Sequence, residues 1–204
     1  MAVFEQVRYV MAVLLVISMP GAVGWWFIVH PFVGFWRRVG VPGTLTVLTV
    51  FLLGSAGGLY LLRELLVGPD LGTYWPLLGL ALPLIVVAAI IQRKRRKHLT
   101  LRVLTGVAEI LPESGKLLTE GIYGRIRHPR YVEFTLGLVG WSLVANYLGP
   151  YLMAAGTVAA LLIIVEMEER ELRERFGDAY DMYARLVPRF LPRRRADSGS
   201  GNPG

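Results

Sequence analysis

The apolar block Tyr131–Val165, YVEFTLGLVGWSLVANYLGPYLMAAGTVAALLIIV, decides how this chain folds. It runs for 35 residues with Glu133 as its only charged side chain. One bilayer crossing by a helix takes about 20 residues, so the block is too long for a single span. Asn146-Tyr-Leu-Gly-Pro150 in its middle is a turn signal, and the block reads as two shorter helices forming a hairpin. Upstream, Tyr9–Val29, Val41–Leu62 and Gly72–Ile91 are each about 20 residues long and free of charge. The expected fold is an all-α integral membrane protein with five transmembrane helices, the last two a helical hairpin.

Composition supports this. A chain of 204 residues that is 54% hydrophobic has too little polar surface to be an ordinary soluble domain. Basic residues set the orientation. With the N-terminus outside, 20 of the 22 Lys and Arg residues fall on the cytoplasmic side, all but Arg8 and Arg63. The positive-inside rule therefore predicts a multi-pass protein, N-out and C-in. The net charge of +7 sits beside helix ends, where orientation and anionic membrane lipids account for it without nucleic acid. Cysteine is absent, which excludes disulfides and thiolate metal sites. The first apolar block is too long for a signal-peptide core and is read as a retained helix.

The first 98 residues carry little chemistry. Trp25, Trp26, Trp36, Tyr60, Tyr74 and Trp75 lie near predicted helix ends and read as an interfacial aromatic belt. Gly54 and Gly58 form a GxxxG that permits a close helix neighbour, and His30 and His98 read as interfacial. Three regions result: residues 1–98 with three helices, 99–192 as the chemically active core, and 193–204 as a disordered tail. A polar connector over 99–130, with a short helix at Leu101–Ile110, is expected to fold back on the cytosolic face.

Two polar clusters flank the hairpin: Gly121-Ile-Tyr-Gly-Arg-Ile-Arg-His-Pro-Arg-Tyr131 and Glu168-Glu169. Ionisable groups at a bilayer edge mark function by default. In the segment Glu166–Arg175, Glu166–Arg170, Glu169–Arg173 and Glu171–Arg175 are favourable i,i+4 pairs. Glu168 has no basic residue three or four positions away and shares a stripe with Leu161, Val165, Leu172 and Phe176. It is expected on the packed face, needing a partner from elsewhere: a ligand, or Arg125 or Arg127. Pro129 keeps His128 extended and starts the fourth helix, whose N-terminus beside Arg127 and His128 favours an anion. Tyr123 and Tyr131 add rings with hydroxyl handles. A lipid-headgroup anchor is the plainer alternative for this cluster. Together with Glu168 it holds a cationic grip, a carboxylate and aromatic surface, the groups that suit a zwitterionic amino-acid end, a ribose diol and a sulfonium.

Gly121-x-Tyr123, Arg127-His128-Pro129-x-Tyr131, Glu168-Glu169-x-x-Leu172, Phe176-Gly177-x-x-Tyr180-x-x-Tyr183, Val187-Pro188-Arg189 and Leu191-Pro192 together resemble the isoprenylcysteine carboxyl methyltransferase family, within a wider group of integral-membrane methyltransferases that includes phospholipid N-methyltransferases. The resemblance covers about residues 99–192. It implies S-adenosylmethionine taken from the cytosol and held at Lys116, Leu117, Leu118, Tyr123, His128, Pro129, Tyr131 and Glu168. The connector and C-terminal helical segment would cover it, and a lipophilic or prenylated acceptor would come from the bilayer. Glu168 and Arg127 are the candidate catalytic residues, and Glu169 reads as structural through Arg173. Two departures bear on the acceptor. The family's arginine four residues before the glutamate pair is Ile164 here, and a usually small position is Glu133, which either pairs with Arg130 or faces substrate. A phospholipid or other small lipophilic acceptor is the alternative; a membrane sterol reductase and a non-enzymatic transporter subunit are more distant ones.

Overall fold

The computed structural model describes residues 2–96 and 117–192. Lys116, the expected helix at Leu101–Ile110, His98 and the tail from 193 lie outside the described residues. Within them the chain is helical: α1 (Ala2–Val29), α2 (Val33–Leu61), α3 (Arg63–Val67), α4 (Trp75–Arg96), α5 (Pro129–Ala145), α6 (Leu148–Phe176) and α7 (Asp178–Leu186), with 3-10 turns at His30–Phe32 and Gly121–Gly124. Four helices are long and apolar enough to cross a membrane: α1, α2 from Gly34, α4 up to Arg95, and α6. The fifth expected span is α5, which has 17 residues and is not among these four.

Helix boundaries move where neighbours intervene. α2 starts before Val41, but Gly40 at φ 77° breaks its helical dihedrals and Pro42 follows, so the uninterrupted part begins where expected. α4 starts at Trp75 and not Gly72, because the preceding loop is held by the hairpin turn. That turn is tighter than the motif suggests. Asn146 alone adopts the left-handed region (φ 51°, ψ 51°), which Asn tolerates, and Pro150 falls in the first turn of α6, where its missing N–H is harmless. A Cβ at Gly149 would collide with the Leu66 and Val67 carbonyls, so only glycine lets α6 begin against α3.

α1 is the central helix, packed on α2, α5 and α6, while α4 lies mainly along α5. Ala81, Ala88 and Arg95 recur every seven residues on the buried side of α4. They oppose α5, where a Cβ at Gly140 would meet Ile85 at 2.7 Å. These small residues do the close packing. Among the described residues the Gly54–Gly58 motif does not serve it: none of them lies within 4 Å of a Cβ built at either position. The aromatic belt is also only partial. Tyr60, Tyr74 and Trp75 are exposed, but Trp25 and Trp36 are buried and pack on each other at 5.4 Å, fixing the α1–α2 bend.

Arg8, expected on the outer side of the membrane, is buried within the protein at 1% exposed and ties together the end of the bundle where the α5–α6 turn lies. It donates to the Ala145 carbonyl at 3.1 Å, the Asn146 carbonyl at 3.3 Å, Thr73 Oγ1 at 3.1 Å and Asp70, and it pairs with Glu5. One side chain thus joins α1, the loop before α4 and the hairpin turn. Removing one partner of a buried ionic network costs about 3–5 kcal/mol. Arg8→Ala should lose about 3 kcal/mol, the lower end because Glu5 and Asp70 are half-exposed, read as a lowered Tm in detergent.

Candidate active site

The site grows from a turn, a proline and a returning segment. Gly121 at φ 62° opens the 3-10 turn that carries Tyr123. Pro129 excludes the helical region for His128, which sits at φ −119° as the residue before α5. Its N–H therefore needs an acceptor outside the helix. The segment after α7 supplies one: His128 N–H donates to the Arg189 carbonyl at 3.0 Å and Arg127 N–H to the Pro188 carbonyl at 2.9 Å. The amphipathic α7 anchors that segment through buried Tyr180 and Tyr183, with Tyr183 Oη donating to the Tyr123 carbonyl at 2.7 Å.

Glu169 lies at the centre with no exposed surface. Its Oε1 meets His128 Nε2 at 3.0 Å, Arg127 Nη1 at 3.1 Å and Arg189 Nε at 3.0 Å. Its Oε2 receives Arg189 Nη2 at 2.8 Å and Arg173 Nη2 at 3.4 Å. The Arg173 pair expected from i,i+4 spacing forms, but it is the longest of these contacts. Glu166 pairs with Arg189 as well.

This revises the helix-face reading. The buried stripe of α6 runs Leu161, Val165, Glu169, and Glu168 stands at its edge with a side chain 31% exposed. Intrahelical spacing could not show this, because the cations that bury Glu169 come from two other segments. Glu168 nevertheless reaches the corner assigned to it, with Oε2 3.6 Å from His128 Nδ1. A buried imidazole thus lies between two carboxylates, one sealed and one partly exposed.

Tyr131 is buried against Leu161, Ile164, Val165 and Phe190, its ring 5.7 Å from His128. Pro129 is buried, Leu117 packs on the Tyr180–Tyr183–Val187 cluster, and Leu118 is exposed. Arg127 points inward to Glu169 and donates to Tyr180 Oη at 3.3 Å, so its guanidinium is engaged by the protein. Glu133 takes a partner not foreseen, Arg95 of α4, at 2.8 Å. Ile164, where the family arginine would stand, is 1% exposed in an apolar cluster. Sequence reading missed the roles of Arg189 and Arg95. The first was visible within Val187-Pro188-Arg189, and the second was absorbed into the orienting basic run.

Burial alone would lower the His128 pKa, but the hydrogen bonds and charges of Glu168 and Glu169 outweigh it and raise the value. Burial pushes the Tyr123 and Tyr180 phenols up to about 12, keeping them as O–H donors at neutral pH. Glu169 and Glu166 hold the Arg189 guanidinium above its ordinary value.

Among the described residues the fold is helical, with a histidine–glutamate corner at the end of apolar helices. Residues 76–179 match the phospholipid methyltransferase family. Among its relatives, a probable protein-S-isoprenylcysteine O-methyltransferase of Oryza sativa subsp. japonica is 32% identical over 140 residues, covering 64% of this chain and 69% of that enzyme. Methanethiol S-methyltransferase 2 of Bradyrhizobium diazoefficiens is 38% identical over 80 residues, 37% of this chain and 30% of that protein. The protein-S-isoprenylcysteine O-methyltransferase of Schizosaccharomyces pombe is 34% identical over 77 residues, 37% of this chain and 33% of that enzyme. The bacterial and yeast matches thus span about a third of those relatives' length. No solved structure matches the chain. The chain belongs to the phospholipid methyltransferase family.

The raised His128 pKa sets a pH dependence. Its stabilisation is fully present below the ordinary value of 6.5 and is lost as pH rises through the higher folded value. The Tm difference between wild type and His128→Gln should therefore be largest at acid pH and shrink on the alkaline side. A gap that widens with pH would contradict a protonated His128.

Proposed function

We propose that the chain is an S-adenosylmethionine-dependent integral-membrane methyltransferase acting on a lipophilic acceptor. The observation that carries this reading is Glu168, a one-third-exposed carboxylate beside a buried imidazole clamped by Glu169. The donor set fits the cofactor: the Glu168 carboxylate for its cationic groups and the Tyr123 and Tyr131 rings, with Leu118 an exposed apolar side chain earlier in the chain. Lys116, Leu117, Leu118, Tyr123, His128, Pro129, Tyr131 and Glu168 would hold it. When bound, the cofactor supplies a methyl group already activated on a sulfonium.

The protein's task is then chiefly to position and desolvate. Alignment of two held reactants can supply about 7–11 kcal/mol of a barrier. Glu169 and Arg189 keep His128 and the C-terminal segment in place, and Arg127 supports Glu169. Membrane-facing access is supported by apolar cavities of about 560 Å3 and 240 Å3 on either side of α5 near Phe190 and Leu191. In the proposed arrangement α5 is the fifth, short span, the N-terminus is outside, and residues 99–192 form the cytosol-facing core.

Calorimetry of the purified chain should show binding of S-adenosylhomocysteine and none of NADPH. The reverse would favour a reductase, and binding of neither a non-enzymatic protein. Glu168→Gln should lose most of that binding while Tm stays near wild type. Glu169→Gln should instead lower Tm, by about 3 kcal/mol of stability, because it strips the charge that Arg127, His128 and Arg189 compensate. Equal effects of the two substitutions on Tm would show that the sealed and open carboxylates are not distinct.

A further inference from the structure

One buried ion pair lies outside the corner just described. Arg95 of α4 and Glu133 of α5 meet fork to fork, Nε–Oε2 at 2.8 Å and Nη2–Oε1 at 3.3 Å. The side chains are 6% and 13% exposed. Glu133 follows His128 by five residues, about 7.5 Å along the helix. The Tyr123 hydroxyl is within electrostatic reach of Arg95, Glu168, Arg130 and Glu133, so the pair lies near the His128–Glu168 corner. Glu133 and Gln92 also lie at one end of a cavity of about 350 Å3 between α1, α4 and α5. Its other walls are apolar, among them Leu15, Met19, Ile85 and Phe134, with Trp141 towards the far end.

Resting on the methyltransferase reading, we propose that this cavity receives the apolar body of the acceptor and that the Arg95–Glu133 pair selects its head, admitting an amine or thiol and refusing a carboxylate. A carboxylate offers about four lone-pair positions, and the guanidinium fork occupies two. The others can accept an N–H or S–H. Arg95 is already neutralised and cannot hold an anionic head, and a second carboxylate would face Glu133 in a poorly screened site. Ile164, where the resembling family carries an arginine, is sealed among Tyr131, Leu161 and Val165 and supplies no cation for a carboxylate head.

The test uses the full chain in nanodiscs without cofactor. Tryptophan quenching is followed with a long-chain bromoalkylamine, a bromoalkanethiol and the matching bromoalkanoate, and Trp141→Phe isolates the signal from the cavity. The amine and thiol should bind at least about tenfold more tightly than the alkanoate. Glu133→Gln, which frees the charge of Arg95, should bring the alkanoate up by about tenfold. The double variant Arg95→Gln/Glu133→Gln, neutral at both positions, should bind all three alike and covers the case in which the single variant misfolds. The proposal is overturned if wild type binds the alkanoate as tightly, if neither variant changes the ratios, or if no quenching depends on Trp141. Tight alkanoate binding lost in Lys94→Ala would move the acceptor to the neighbouring cavity that Lys94 lines, and would overturn it equally. S-adenosylhomocysteine calorimetry on the same samples separates the two levels. Retained binding with unchanged selectivity sinks only the role of the pair, whereas no binding sinks the methyltransferase reading.

Discussion

A carboxylate with no exposed surface is tolerated only when its charge is met on several sides, and Glu169 is such a group. Its partners come from three places in the chain: Arg127 and His128 ahead of α5, Arg173 one turn along α6, and Arg189 beyond α7. None of these segments can leave without stranding a buried charge. The turn at Gly121–Gly124, the start of α5, the end of α6 and the C-terminal segment are therefore bound into one unit. The orientation of His128, and with it the place of Glu168, follows from that constraint.

The far end of the bundle repeats the device with the signs reversed. There the buried charge is Arg8, met by Asp70, Glu5, Thr73 and the last carbonyls around the hairpin turn. The two hubs are separated by the length of α5, about 25 Å. Between them the helices pack through apolar and small residues, as a bilayer requires when it offers no water to unsatisfied groups. A hydrophilic corner is thus held rigidly against the ends of greasy cavities. A water-soluble donor and a lipid-side acceptor could meet across that boundary. The Arg95–Glu133 pair stands at it, on the seam between α4 and α5.

Much of this was legible in the residues themselves. Apolar run lengths located every long helix, and Asn146 with Pro150 located the hairpin, because helix period, span length and turn chemistry are local properties. The pairing of the His128–Pro129 corner with Glu168 was also expected, since an acid lacking an intrahelical cation has to find a partner elsewhere. Local spacing alone determined the helices and the turn. It could not say which of two adjacent glutamates is sealed, that Arg8 is buried, that Trp25 and Trp36 pack on each other, or that Glu133 meets Arg95. Those outcomes depend on groups brought from distant segments. Tertiary structure decided them because the burial and charge of a side chain are set by whatever packs against it.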